Sequence, residues 1–266
     1  LVYAVIIAEK MNQAVIALIA SSAAVLFGLL NQEQAIDSID FNTLFLLIGM
    51  MVVVGIMKET GIFQYVAIVA AKSVRASPRG LLAVLSIITA VFSAFLDNVT
   101  TVMLIVPIVL LLTEQLKLKP FPFLLSQILF SNIGGTATLI GDPPNILIGS
   151  AVGLSFMDFI INMAPVILIT IVVMLGVFDF IWGRHLTTSM RARAHLLRYE
   201  PNKALKNKSL LIKSFIVLAL VLAGFTMGHN FLHIETGTTA LAGAALLMFL
   251  DGYGHGMTEK NKKAHE

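Results

Sequence analysis

Apolar residues in this chain come in long unbroken runs rather than in alternation or one-sided stripes. The runs cover 1–8, 13–30, 43–57, 62–71, 80–96, 99–112, 121–133, 146–153, 156–181, 215–231 and 236–250. Crossing a bilayer takes ~20 apolar residues, so some runs suffice alone and others, 146–153 above all, are too short. The pattern predicts an all-α, polytopic membrane protein with about seven to nine membrane segments. Composition agrees. Of 266 residues 58% are hydrophobic and 12% charged, against ~25% charged in a soluble domain. That is too little charge for a water-facing surface, which excludes a soluble enzyme, a nucleic-acid binder and a secreted domain. The absence of cysteine removes disulfides, thiolate metal sites and thiol catalysis. The chain opens at Leu1 inside an apolar run, with no cleavable signal peptide, and reads as a piece of a longer protein.

Charge sets the orientation. The stretch between Trp182 and Ser214 holds Arg184, Arg191, Arg193, Arg198, Lys203, Lys206, Lys208 and Lys213 against one acid, Glu200. The positive-inside rule makes it cytoplasmic. Suppose 80–112 is a hairpin entering and leaving from that side, with 62–71 lying along the surface. Then Lys10, Lys58, Lys72, Arg75, Arg79, Lys117, Lys119, Lys260, Lys262 and Lys263 also fall inside, which accounts for all 18 basic residues. The outer turns keep Glu33, Asp37, Asp40, Asp158 and Glu235. If 62–71 crossed instead, Lys58 would move outside. The net charge of +3 is thus a topology signal, with lipid-headgroup attraction secondary.

Two polar interruptions fall where membrane depth should be greatest. One is Ser93-Ala94-Phe95-Leu96-Asp97-Asn98-Val99-Thr100-Thr101. The other runs from Ser131 and Asn132 through Gly134, Gly135, Thr136, Ala137, Thr138, Leu139, Ile140, Gly141 and Asp142 to Pro143-Pro144-Asn145. Non-helical backbone in hydrocarbon is tolerated only against protein or a wet cavity. Gly134-Gly135 and Pro143-Pro144 therefore predict a helix broken near the midplane. Broken helices make ion sites: chain ends of half-helices offer carbonyls to cations, and starts offer amide N–H groups to anions. The candidate ion- and substrate-binding residues are Ser93, Asp97, Asn98, Thr100, Thr101, Asn132, Gly134, Gly135, Thr136, Asp142 and Asn145. Asp97, Asn98 and Thr101 are hard oxygen ligands suited to Na⁺, and Asp97 could equally carry a proton.

Plainer readings compete. Asp142 before two prolines could merely cap a helix, and Asn and Thr often only pair membrane helices. Asn98-Val99-Thr100 fits a glycosylation sequon but sits at a buried tip. His229 and His233 stand four apart, without a third zinc ligand nearby.

The two interruptions resemble the ion transporter superfamily, and within it the ArsB/NhaD permease group in its P-protein-like branch. The stretch 40–61, with Leu46-Leu47-Ile48-Gly49-Met50-Met51, is similar to that family's third span. The resemblance implies two inverted repeats, each with a hairpin tip and a broken helix around one midplane site, often in homodimers. Related divalent-anion/sodium symporters carry Ser-Asn-Thr at the tip; here Asp97-Asn98 takes the Ser-Asn place and Val99 replaces the Thr. On this basis 1–182 is a first repeat, with hairpin 80–112 and broken helix 121–153. Then 183–213 is a basic cytoplasmic loop, 214–250 opens a second repeat, and 251–266 is a polar tail.

The function expected is secondary transport of a small anion or oxyanion, of the arsenite-permease or anion-transporter type, coupled to Na⁺ or H⁺, with no other cofactor. Na⁺/H⁺ antiport is the alternative. An intramembrane aspartyl protease would use Asp97 and Asp142 as a dyad, but Leu139-Ile140-Gly141-Asp142 lacks the first glycine of Gly-x-Gly-Asp. The chain is therefore read as a non-enzyme. A channel shares the composition of a carrier. No phosphate-binding Gly-x₄-Gly-Lys-Ser/Thr loop exists, so ATP-driven pumping would need a separate ATPase subunit. The expected surroundings are a bilayer, the plasma or inner membrane if bacterial, and no nucleic acid.

Overall fold

The computed structural model describes residues 2–7, 12–231 and 234–263, and every regular element among them is helical. Lys10 and His233 lie outside the described residues, and of His229 only the helical backbone is described, so the histidine pair has no geometry. The chain divides into two compact units, Leu1–Phe41 and Asn42–Glu266.

The first unit holds α1 (Val2–Ile7), α2 (Gln13–Leu26) and α3 (Gln32–Asp37). Asn12 caps α2 by accepting from the Ala14 N–H at 2.9 Å. Asn31 and Gln34 form a reciprocal capping box at the start of α3. The run expected over 13–30 stops being helix at Leu26, because Gly28 takes a left-handed φ of 71°.

The second unit contains α4 (Phe41–Glu59, from its second residue), α5 (Ile62–Ser73), α6 (Pro78–Ser93), α7 (Asn98–Gln115), α8 (Phe121–Gly135), α9 (Pro143–Val152) and α10 (Phe156–Ile181). It continues through α11 (Met190–Leu197), α12 (Lys208–Phe231) and α13 (Thr236–Lys263). Among the described residues four helices are long and apolar enough to cross a membrane: α4, α7, the stretch Phe156–His185 built on α10, and Lys208–Met227 of α12. The run 236–250 opens the 28-residue α13, and Gln13–Leu26, Ile62–Ser73 and Pro78–Ser93 are shorter apolar helices. α10 leaves Ile161, Leu168, Ile169, Val172 and Val173 bare along most of its length, a face suited to lipid tails.

α6, α7 and α8 form the packed centre. Gly134 lets α8 cross α6 at backbone contact, since a β-carbon there would overlap the backbone of Ala90. Beside that crossing, the buried Thr89 hydroxyl of α6 donates to Gln127 Oε1 of α8. The Gln127 amide nitrogen in turn reaches Phe123 O at 3.2 Å and Ser126 Oγ at 2.9 Å. Every polar atom of this buried group has a partner, as low dielectric demands. Phe130 of α8 packs edge-on against Phe178 of α10, with centroids 5.9 Å apart. Elsewhere, Gly49 of α4 meets Ala240 of α13, and Gly243 of α13 meets Val221 of α12.

The basic stretch 183–207 is held to helix ends across one end of this unit. The Lys206 N–H donates to Thr60 O at 2.9 Å, just past α4. Lys72 Nζ, in the last turn of α5, donates to Tyr199 O at 2.9 Å. Arg193 donates twice to Arg75 O, at 3.1 and 2.9 Å, bracing a turn where Arg75 and Ala76 both take positive φ. Thr188 Oγ1 donates to Leu116 O beyond α7 at 2.5 Å. Arg79 in the first turn of α6 pairs bidentately with Asp179 of α10, at 2.5 and 2.6 Å. The end of α4, both ends of α5, the turn before α6 and the turn after α7 are therefore all tied to this stretch.

Candidate functional site

α6 stops at Ser93 and the chain turns through Ala94, Phe95 and Leu96 before α7 begins at Asn98. Asp97 is the N-cap: its Oδ1 accepts the Thr100 N–H at 2.8 Å, and its backbone oxygen accepts the Thr101 N–H at 2.9 Å. An aspartate here satisfies an orphan amide and faces the positive end of the helix. Asp97 is thus a cap as well as a charge, a role the spacing alone did not reveal. The opposite holds for Asp142. It occupies the N-cap position of α9, yet its side chain makes no capping bond, so the plain reading of Asp142 as a cap fails.

The second interruption also differs from expectation in detail. α8 stays helical through Gly135, and the non-helical stretch is 136–142. The glycines permit close approach instead of breaking the helix. The carbonyls expected to face an ion are partly engaged. Asn132 O accepts the Thr136 N–H at 3.2 Å and its Oγ1 at 2.8 Å. Gly134 O accepts the Ala137 N–H at 3.0 Å. Asn145 donates its amide to Thr138 O at 2.9 Å and Gly135 O at 3.3 Å. Thr136 and Asn145 therefore brace the break, and the Asn145 nitrogen is not left for a substrate.

The two interruptions meet. Thr138 Oγ1 donates to Ala94 O at the hairpin turn, and Asn98 Nδ2 donates to Asn132 Oδ1 at 2.8 Å. The backbones of Ser93, Gly135 and Gly141 cross so tightly that a β-carbon at Gly141 would sit 2.5 Å from Ser93 O. Asp97 directly precedes Asn98 and Asp142 directly follows Gly141, so both acids border these contacts. Among the described residues, two buried side-chain oxygens lack a hydrogen-bond partner: Ser93 Oγ and Thr101 Oγ1, both in residues fully shielded from solvent. Unsatisfied buried hydroxyls are costly, and these two have donor and acceptor capacity that no protein group uses. Of the candidates, Ser93, Asp97, Asn98, Thr101, Asn132, Gly135 and Asp142 belong to this meeting point. Gly134 serves helix packing, and Thr100 contributes its amide. Thr138, through its hydroxyl, and Gly141, through its close-packed backbone, belong here too; their position inside the second interruption is the signal that the sequence offers.

A hairpin turn joined to an interrupted helix, with acids and orphaned hydroxyls between them, inside an all-α multi-pass bundle, defines an integral membrane protein of transporter type. Residues 3–253 match the model of the citrate transporter family, CitMHS, and the chain belongs to that family. It is 37% identical over 254 residues to an uncharacterized transporter of Mycobacterium bovis, and 39% identical over 254 residues to one of Mycobacterium tuberculosis. Each alignment covers 94% of this chain and 59% of the relative. The P protein of Homo sapiens is 38% identical over 210 residues, 75% of this chain and 25% of that protein. The likeness to P-protein-like permeases carried by the two motifs is borne out. The chain spans about three-fifths of the mycobacterial relatives' length.

Proposed function

We propose that this chain supplies the cation-binding half of a secondary transporter for a small polyanion. The observation that carries the reading is the pair of acids, Asp97 and Asp142, at the N-cap positions of two half-helices, with the unpartnered hydroxyls of Ser93 and Thr101 beside them. Helix starts favour anions, but here each already has a carboxylate beside it. Two neighbouring negative charges favour a cation between them, Na⁺ or a proton. Asp97, Asn98 and Thr101 remain the ligand set for Na⁺, with backbone near Gly135 and Ser93 as further oxygen donors. The substrate is an anion of the citrate class, the compound that gives the family its description. A polyanion cannot approach two bare carboxylates, so the cation binds first and the anion second, completed by parts of the parent protein beyond this chain.

The membrane arrangement follows the same logic. α6 is 16 residues long, about 24 Å at 1.5 Å per residue, short of the ~30 Å hydrocarbon core. With its start and the end of α7 both held at the basic end, α6–α7 is read as a re-entrant hairpin with its tip at depth. α5, tied at both ends to the basic stretch, is read as lying along the membrane surface. The division into a first repeat, a basic loop and the opening of a second repeat belongs to this reading.

Radiolabelled citrate flux into proteoliposomes of the parent-length protein tests it. The expected result is saturable uptake that needs a Na⁺ or proton gradient and disappears in Asp97→Asn. Uptake indifferent to both gradients, or unchanged in Asp97→Asn, overturns the proposal. Proton-driven Na⁺ exchange without any anion would assign the site to an antiporter instead.

A further inference from the structure

A second site lies at the basic end, away from the hairpin tip. The first turns of α6 and the last turns of α10 run antiparallel and enclose a cleft of about 550 Å³. Its mouth is charged: Arg79 pairs with Asp179, and Arg184 Nε stands 3.8 Å from Asp179 Oδ2, beyond hydrogen-bond length. Both arginine side chains are more than half exposed, at 64% and 59%. Two guanidinium groups against one carboxylate leave a net positive mouth, beside the amide end of a 16-residue helix. The Arg79 fork uses Nε and one terminal nitrogen on Asp179, so Nη1 still points donors outward.

One turn deeper along both helices the lining becomes apolar: Leu82 and Ala83 of α6, and Leu175 and Gly176 of α10. A β-carbon on Gly176 would meet nothing within 4 Å, so that part of the wall is open space. Trp182 packs on Phe178 at the same level, with centroids 5.2 Å apart, and tryptophan marks the membrane–water interface. Charge at the interface with hydrocarbon beneath it is the profile of a phospholipid, and the positive mouth selects one with an anionic headgroup. Basic pockets between membrane helices on the cytoplasmic side hold such headgroups.

We infer that the α6–α10 cleft is a binding site for an anionic glycerophospholipid, its phosphate at Arg79 and Arg184 and one acyl chain along Leu82, Leu175 and Gly176. The inference rests on the basic end lying at the membrane surface and is independent of what the protein transports.

Trp182 is the single tryptophan of the chain and packs on Phe178 of the cleft wall, so its fluorescence reports quenchers seated beside that wall. The chain is reconstituted in phosphatidylcholine nanodiscs doped with a small fraction of brominated phosphatidylglycerol or brominated phosphatidylcholine. Brominated phosphatidylglycerol should quench at lower mole fraction, with a preference of about fivefold for each arginine at an anionic surface. Arg184→Gln, which removes the long contact to Asp179 and the guanidinium over the Phe180 ring, should lose its share of that preference. Arg79→Gln should lose the rest. Gly176→Leu, which fills the groove without a steric conflict, should weaken quenching by both lipids. Equal quenching by the two lipids in the unaltered chain overturns the inference, as does full preference in Arg184→Gln. Relief of quenching by inorganic phosphate would also overturn it, by making the mouth a free-anion site.

Discussion

Asp97 caps α7 and, on the proposed reading, holds a cation, and chemistry can separate the two. Asparagine caps a helix about as well as aspartate, so Asp97→Asn keeps the bond to the Thr100 N–H and loses only the charge. Its thermal stability should stay within about 0.5 kcal/mol of the parent, whereas Asp97→Ala should lose about 1 kcal/mol as the cap disappears. Coupled flux should vanish in both. A melt in which the asparagine variant falls as far as the alanine one would mean that charge, not capping, holds the tip. Thr101 gives a sharper sign. Its buried hydroxyl has no partner, so Thr101→Val, nearly isosteric, should leave stability unchanged or raise it by about 1 kcal/mol in the absence of cation. The same variant should lose cation-dependent stabilisation of the melt. A destabilised Thr101→Val would point to a hidden structural bond. The sequence already exposed these acids and hydroxyls, because ionisable groups in apolar runs stand out. It could not reveal which were already engaged. That Asn145 braces the break while Asp142 makes no capping bond depends on backbone angles that no spacing records.

Among the elements, α6 and α8 decide whether the centre holds. Gly134→Ala inserts a methyl into the backbone of Ala90, where nothing flexible can yield; overpacking of this kind costs about 1–3 kcal/mol or more. The loss should appear as reduced folded yield in detergent. Thr89 and Gln127 offer a subtler test. Thr89→Val leaves the Gln127 carbonyl oxygen buried without its donor, at a cost of about 1–3 kcal/mol. Adding Gln127→Leu removes the stranded group, so the double variant should recover part of the loss in a chemical melt. Equal stability of single and double variants would show that water already satisfies Gln127. Helices, the hairpin and the interrupted segment could all be read from the runs of apolar residues. Their lengths could not. Gly134-Gly135 was read as a break because glycine weakens helices, yet close packing against α6 outweighs that preference and moves the interruption to 136–142. Likewise the run over 13–30 loses its last turn to Gly28, a conformational effect invisible to hydropathy.

For the molecule as a whole, the sorting of all basic residues to one side was the strongest statement the sequence made, and the hydrogen bonds of 183–207 gather the corresponding helix ends of the second unit. The absence of cysteine makes this directly measurable. Single cysteines at Lys58, Ser73, Lys119 and Lys203 should all react with a membrane-impermeant thiol reagent from the same side, and one at Glu235 from the opposite side. Lys58 and Ser73 labelling from opposite sides would mean that α5 crosses. What no pattern in the chain foretold is how unequal the two flanks of the hairpin tip are. On one flank Asn98 and Asn132 border a polar-edged cleft of about 260 Å³. On the other, Phe92, Phe95 and Leu96 face a gap of about 340 Å³ walled by α4, α5 and α12, including Met57, Phe63 and Phe215. Water gains almost no bonding partners in such a chamber, so hydrocarbon or nothing occupies it. On the proposed reading the apolar flank then works as electrical insulation: field lines between Asp97 and the ion it would hold are not short-circuited through solvent on that side. On the same reading, hydrated ions approach past the asparagine pair, and a charge introduced at Phe95 should open a leak by wetting the apolar flank.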